Sequence, residues 1–289
     1  MSESVRKVFA LVLFAIPIVL FSAANAQTKA TCTFHLFKTP GTPVGVNDYG
    51  TVVGAAVNYG PSKGFIRYSN GTVSYFQAPN AQATYFTARN NAGVTVGGYS
   101  LPSQVTPVPG AGLILNGSNF TSVKYPNAVD TGLFGINKYN TTVGVAGDSN
   151  YQSHAFKRYS DGSLVTLQYP GAQDTWPRAI NNQGTIVGTA AGHGFIYHGG
   201  TWAKVVFPHS GTNINGTELL GISNNNVIVG QAMSSPPTSF LYSNGVFKII
   251  LAPNSSNTQV QGISENGLIT GIAFINGAST GSGFLATCK

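Results

Sequence analysis

Charge is what this chain has least of: Asp, Glu, Lys and Arg make up 8% of its 289 residues. Its Lys and Arg are scattered, adjacent only at Arg6-Lys7 and Lys157-Arg158, with no basic run and no nucleic-acid motif, so a pI near 9.4 does not imply a polyanion partner. Acidic residues number 8, of which Asp48, Asp130, Asp148, Asp161, Asp174, Glu218 and Glu265 lie beyond residue 26. The five histidines show no HExxH spacing, no acidic calcium loop is present, and no GxSxG elbow marks a nucleophilic serine. These absences remove the familiar metal and serine chemistries, and the expectation is no cofactor and no required metal. Beyond residue 26 no apolar run is long enough to span a bilayer.

The one long apolar run, residues 8–21, follows Arg6 and Lys7 and precedes Ala24-Asn25-Ala26, the order of a secretory signal with a small-x-small cleavage site. Pro17 and the shortness of the run argue against a membrane anchor. Residues 1–26 are therefore expected to be removed, leaving residues 27–289 as a single secreted domain, extracellular or periplasmic, and a monomer. Its net charge drops from +7 to +6 because Arg6, Lys7 and Glu3 leave together.

What the chain has in abundance is repetition. A short phrase opens at Gly45, Ala88, Gly135, Ala179, Gly221 and Gly262, at spacings of 43, 47, 44, 42 and 41 residues. A period of about 40 to 45 with strand-like content indicates one propeller blade per repeat. In the fourth copy, residues 179–188, Asn181-Asn182-Gln183-Gly184 forms a turn between two strands, here named A and B. The opening turn position is Asn47, Asn90, Asn137, Asn181, Ser223 or Ser264, each able to cap a turn with its own oxygen. The closing position is Gly50, Gly93, Asn140, Gly184, Asn226 or Gly267, the residue types that best tolerate the left-handed conformation.

A third strand, C, starts near Lys63, Ala111, His154, His193, Ser239 and Ser282. It leads to Asn70-Gly71, Asn116-Gly117, Asp161-Gly162, Gly199-Gly200 or Asn244-Gly245, the residues of type I′ hairpin turns. A fourth strand, D, ends at Pro79, Pro126, Pro170, Pro208 or Pro253. The sixth repeat stops after C, and residues 32–40 supply a D-like segment ahead of the first A strand. The expected fold is all-β: a six-bladed propeller of four-stranded antiparallel blades, closed by the N-terminal D strand joining the C-terminal A, B and C strands. A β-helix or sandwich fits the hairpin turns less well. Cys32 and Cys288 would flank the position of the missing C–D turn, and a disulfide there would contribute roughly 5 kcal/mol in the chain-entropy account.

His154-Ala155-Phe156 and His193-Gly194-Phe195, with the six Gly-Ile-Asn-like phrases, resemble the extracellular HAF-repeat family of bacterial exported proteins. The resemblance extends over nearly all of residues 27–289, although Lys63, Ser239 and Ser282 depart from the histidine. It implies export and a repeated β architecture, and no activity or catalytic residue. The recurrence of His154 and His193 at one repeat position marks them as strand-start residues.

Function is expected on the face carrying the B–C and D–A loops, where residues 98–110 and 210–218 form the long irregular segments. Asp130 and Asp174 hold one repeat position, each followed by Thr, with Asn257 their equivalent; Tyr85, Trp176, Arg178 and Glu218 lie close by in sequence. Carboxylates beside aromatic rings suit a glycan, since a ring packs on a sugar face and acidic oxygens accept hydroxyl protons. The competing reading is that Asp and Thr satisfy backbone groups of the D–A turn. The ligand-binding set is thus Tyr85, Asp130, Asp174, Trp176, Arg178 and Glu218, and the partner an extracellular glycan or protein. The alternatives are a structural or protein-interaction disc at the cell surface, or a carbohydrate-active hydrolase or lyase using two carboxylates.

Overall fold

Six small antiparallel sheets carry the chain, and each repeats one strand order. The computed structural model describes residues 27–56, 62–103, 109–150, 152–208 and 216–289, so the expected signal segment and the centres of both long loops lie outside the described residues. Blade 1 comprises Gly41–Val46, Val52–Ala56, Lys63–Arg67 and Val73–Phe76, hydrogen-bonded in that order as A, B, C and D. Blade 2 opens with Ala83–Arg89, blade 3 with Asp130–Ile136, blade 4 with Thr175–Ile180 and blade 5 with Thr217–Ile222. No helix occurs among the described residues, and the fold is a six-bladed β-propeller.

Blade 6 draws A, B and C from Ser255–Ile263, Ile269–Ile275 and Ser282–Cys288, and D from Cys32–Phe37. Cys32 lies directly opposite Cys288 in that pairing, and the two are joined by a disulfide. Just ahead of the closing strand, Thr28–Lys29 adds a parallel fifth strand to Val246–Ile249 on blade 5, an element the repeat pattern did not contain. The N-terminal segment therefore straps two blades before it completes the ring.

Each blade buries one large side chain near the start of strand C: Phe65, Leu113, Phe156, Phe195, Phe240 and Phe284 are all 0% exposed. The phrase-closing glycine of strand B explains its own recurrence. A Cβ at Gly188 would lie 2.0 Å from the Trp176 carbonyl oxygen and 2.9 Å from the Phe195 ring, and Gly54, Gly144, Gly230 and Gly271 meet the same two obstacles. The carbonyl comes so close because every A strand carries a bulge, the register shifting across Val44, Thr87, Phe134, Arg178, Leu220 and Gln261. Between the blades the apolar contacts are continuous; Phe86, for example, packs with Val53 and Ile66 of blade 1 and with Leu113 and Leu115 of its own blade.

The A–B turns are built as the sequence indicates, with positive φ at all six closing positions, from 57° at Asn226 to 96° at Gly267. The opening asparagines do more than cap. Asn137 is buried; its Oδ1 accepts the amides of Tyr139 and Thr141 at 3.0 and 3.1 Å, while its Nδ2 donates to the Asn181 carbonyl of the next blade at 3.2 Å. The same inter-blade donation runs from Asn47 to Asn90, Asn90 to Asn137, and Asn181 to Ser223. Beyond blade 5, where serine replaces asparagine, two carboxylates continue the collar. Glu265 accepts from Asn182 Nδ2 at 2.7 Å and Asn224 Nδ2 at 3.2 Å, and Asp48 accepts from Asn91 Nδ2 at 2.6 Å and the Asn266 amide at 2.8 Å.

The C–D hairpins correct the expectation of uniform type I′ turns. Both loop residues have positive φ only at Gly199-Gly200 and Asn244-Gly245. At Asn70-Gly71 and Asp161-Gly162 glycine alone does so, after Gly71 and Gly162 amides donate back to Tyr68 and Tyr159. These are type I turns ending in a left-handed residue, in which Asn70 and Asp161 instead accept hydrogen bonds from Thr72 and Ser163. Asn116 sits inside its strand, opposite Asn119, leaving Gly117 as the first residue of the two-residue loop.

Two outcomes test this construction. Replacing both Cys32 and Cys288 by Ser is expected to remove about 2–5 kcal/mol of unfolding free energy in urea. Asn137→Ala, which strands two backbone amides and one carbonyl, is expected to cost about 2–3 kcal/mol in the same assay.

Candidate functional site

The register of the A strands orders the residues around the central channel into layers. Counting from the phrase-opening Gly or Ala, the bulged residue one position earlier is Val44, Thr87, Phe134, Arg178, Leu220 or Gln261, and all six line one cavity of about 270 Å³ in the channel. A bulge re-aims the side chain it carries, so these positions leave the blade core and face the axis. Towards the A–B turns the cavity is bounded by Val46, Arg89, Ile136, Ile180, Ile222 and Ile263 and then by the collar residues Asn47, Asn90, Asn137, Asn181 and Glu265. This cavity reaches the A–B end of the channel, opposite to the loop face on which sequence reasoning concentrates the site.

Arg178 is the bulged residue of blade 4. Its guanidinium carbon lies 5.3 Å from the Phe134 ring centre and 5.8 Å from that of Trp176, both within cation–π range. Its Nε–H is buried without a hydrogen-bond partner among the described residues, and the sole ion pair among them is His154–Asp148.

Tyr85, Trp176 and Glu218 occupy one register position, three residues before the phrase. Their environments differ. Tyr85 folds back over its own blade, since a Cβ at Gly98 would lie 2.4 Å from its hydroxyl oxygen and one at Gly132 of blade 3 would lie 3.2 Å away. Burial, and secondarily the charge of Asp130, raises the Tyr85 pKa above its ordinary 10.0. Glu218 is half-buried and makes no hydrogen bond or ion pair among the described residues.

Asp130 and Asp174 begin, or immediately precede, the A strands of adjacent blades. The threonines beside them do satisfy the D–A turn: Thr131 Oγ1 accepts the Tyr125 amide at 3.1 Å and Thr175 Oγ1 the Tyr169 amide at 2.9 Å, as Thr84, Thr217 and Thr258 do elsewhere. Asp130 is exposed as a residue and accepts the Gly147 amide at 3.1 Å, yet partial burial of its carboxyl still raises the pKa above the usual 3.8. Asp174 is exposed and makes no hydrogen bond among the described residues.

Asp174 and Trp176 share a groove on the B–C and D–A face with Gly171, Ala172, Gln173 and residues 189–192. The Trp176 ring stands edge-on to Phe134 at 6.2 Å. Thr189, the cross-strand partner of Trp176, has a buried hydroxyl with no partner among the described residues. The six sequence-derived residues thus do not form one site: Asp174 and Trp176 share this groove, Arg178 and Tyr85 both line the channel cavity, with Arg178 against Trp176 and Tyr85 near Asp130, and Glu218 stands alone on blade 5.

Thr189 and Gln261 were missed by sequence reasoning. For both a signal existed, because the residues just before and just after the phrase change in chemistry from copy to copy, Gln261 standing in the first column and Thr189 in the second. The histidines act as strand-start residues: His193 opens its strand and packs edge-on to Tyr169 at 5.0 Å, and His154 stacks on Tyr125 while its Nε2 lies 3.2 Å from Asp148. Asp148 Oδ1 accepts the Asn150 and Gln152 amides, so its oxygens serve the B–C loop, and these bonds, that from Gln152 foremost, lower its carboxyl pKa.

No family model matches the chain, and no curated protein matches it. Among solved structures it is similar to virginiamycin B lyase from Staphylococcus aureus at 9% identity and TM-score 0.50, covering 89% of this chain and 99% of that one. It is similar to Trypanosoma rangeli sialidase at 9% identity and TM-score 0.50, covering 85% and 54%. A glucose dehydrogenase, also at 9% identity and TM-score 0.50, covers 88% and 99%. At such identities the likeness shows the propeller fold, and a fold shared by a lyase, a sialidase and a dehydrogenase assigns no chemistry.

The raised pKa of Asp130 has a measurable sign. Its protonated form is favoured by folding, so the associated stability is present below the ordinary carboxylate pKa and lost as pH rises through the raised value. Asp130→Asn, which keeps an oxygen for the Gly147 amide, is expected to melt at a higher temperature than the parent at pH 7, with the difference vanishing below about pH 3. A parent protein that melts higher at pH 7 would show that ionised Asp130 is stabilised by its surroundings.

Proposed function

We propose that the protein is a secreted binding propeller that holds a glycan in the groove formed by Asp174 and Trp176. The observation that carries this reading is the groove's unsatisfied chemistry. An unpaired carboxylate, an unpaired threonine hydroxyl and a half-buried indole line one depression among small residues, Gly171, Ala172, Ala190, Ala191 and Gly192. A sugar ring offers an apolar face to the indole, and its hydroxyls can donate to Asp174 and exchange hydrogen bonds with Thr189. Small residues on the walls leave the approach open.

Export supports the extracellular nature of the ligand, and the disulfide and the lack of any membrane-spanning helix among the described residues are compatible with export. Hydrolysis of a glycosidic bond ordinarily needs two carboxylates flanking it. Asp174 is the one carboxylate among the described residues lining the groove, which favours binding over catalysis. The large exposed apolar residues are spread over several blades and both ends of the strands, among them Leu36, Tyr75, Val165 and Val246 on four outer strands and Tyr49 and Tyr139 in two A–B turns, a distribution that favours no single protein-docking patch.

A glycan-array screen tests the reading. The protein is expected to bind a limited set of glycans, with Trp176→Ala and Asp174→Ala each weakening that binding by roughly tenfold or more while leaving the circular-dichroism spectrum unchanged. Binding retained in both variants, or no binding by the parent protein, would overturn it.

A further inference from the structure

The channel cavity presents a second recognition problem, independent of the groove. Its bulged layer alternates round the ring: Val44, Phe134 and Leu220 from blades 1, 3 and 5 are apolar, while Thr87, Arg178 and Gln261 from blades 2, 4 and 6 are polar. The Thr87 hydroxyl is already committed, lying 2.8 Å from the Leu133 carbonyl and 3.1 Å from that of Val96. Arg178 and Gln261 are uncommitted. The buried Nε–H of Arg178 has no partner, no acid pairs with its guanidinium, and the Gln261 amide makes no hydrogen bond among the described residues.

A partly buried guanidinium without a counter-charge is costly unless a bound anion neutralises it. Two rings flank it within cation–π range, Phe134 at 5.3 Å and Trp176 at 5.8 Å, and no protein group among the described residues occupies its donors, which leaves them for a bidentate acceptor. Glu265, the acid that also lines this cavity, belongs to the collar at the A–B end, where it accepts from Asn182 and Asn224. Arg89, the other cation lining the cavity, is held by Thr95, to which its Nη1 donates at 2.6 Å, and sits in the layer next to that collar; Arg178, deeper in the channel, has no such tether. The surrounding wall, from Val44, Phe134 and Leu220 to the isoleucines, is apolar except at Arg89 and suits the uncharged body of a ligand. At about 270 Å³ the cavity lies just below the roughly 300–1,000 Å³ of ordinary ligand pockets, so its occupant is compact.

We propose that the central channel is a binding site for a compact carboxylate ligand, with Arg178 as the bidentate anchor, Gln261 as a second donor, and an apolar wall for the remainder of the molecule. No bond is made or broken; this is a recognition site. It uses neither Asp174 nor Thr189 and shares with the glycan groove only Trp176, against which Arg178 packs, so the two sites are separable by experiment.

The test is a titration of the ¹⁵N-labelled protein with sodium D-glucuronate, succinate and benzoate, observing arginine Nε–Hε resonances, with D-glucose as the neutral counterpart of glucuronate. At least one carboxylate is expected to shift the Arg178 resonance saturably and raise the melting temperature, with glucose doing neither. Arg178→Gln is expected to abolish the thermal shift, and Gln261→Leu to weaken binding several-fold while retaining it. Arg178→Lys, which keeps the charge but loses the fork, is expected to bind weakly. No saturable shift with any of the three carboxylates, an equal response to glucose, or undiminished binding by Arg178→Gln would overturn the proposal. Since Arg178 contacts Trp176, the glycan array repeated on Arg178→Gln separates the sites: preserved array binding with lost carboxylate binding is the expected pattern, and joint loss would show one shared site instead of two.

Discussion

A buried asparagine amide has donors and an acceptor that must all find partners within reach, and in this protein the partners belong to different blades. Asn137 illustrates the constraint: its carbonyl oxygen closes its own A–B turn and its NH₂ group holds the backbone of blade 4. The turn therefore cannot relax without loosening the neighbouring blade, and the neighbour cannot move outward without stranding a buried donor. Repeated from blade 1 to blade 5, this coupling sets how closely the inner strands approach. Phrase-opening residues are consequently Gly or Ala: a Cβ at Gly135 would sit 2.8 Å from the Ala179 Cα, and one at Gly45 would sit 2.5 Å from the Thr87 carbonyl oxygen.

The tight inner ring in turn gives the bulges their importance. With both faces of each A strand committed to blade packing, the extra residue is the place where a side chain can vary without altering the core. The six bulged residues range from Val44 to Arg178, whereas the buried residues preceding them, such as Phe86, Leu133 and Leu219, remain apolar. The division between scaffold and recognition surface is thus made within two adjacent residues of one strand. It separates the demands of stability from those of ligand chemistry.

The repeat period, the four-strand blade and the closing strand were legible because each rests on local chemistry: positive φ at the A–B turns, hairpin residues between C and D, and a D-like segment at the wrong end of the chain. The disulfide followed from the same count. Less legible was anything depending on how repeats meet. Asn47, Asn90 and Asn137 read as turn caps, since nothing in one repeat reveals that a side-chain nitrogen reaches the next. Asp48 and Glu265 read as turn acids for the same reason, although each accepts hydrogen bonds from two other blades. The hairpin subtypes were misjudged because Asn-Gly and Asp-Gly serve two turn geometries equally well. The candidate site was partly legible. Asp174 and Trp176, near neighbours in sequence, share a groove, while Tyr85 and Glu218, taken from different blades, have unlike surroundings despite equivalent register.

The closing blade takes its outer strand from the start of the chain and its other three from the end, with Cys32 and Cys288 separated by 256 residues. During synthesis the segment Cys32–Phe37 must wait for nearly the whole chain before its pairing edge exists. Until then its unpaired amides and carbonyls, and the matching edge of Ser282–Cys288 once that appears, are open to the wrong neighbour, including the same edge on another molecule. A strand supplied in trans by a second copy would complete the blade equally well, so domain-swapped association is the characteristic hazard of this closure. Joining the strand to its own C terminus through a covalent bond makes the intramolecular choice durable once it has been made.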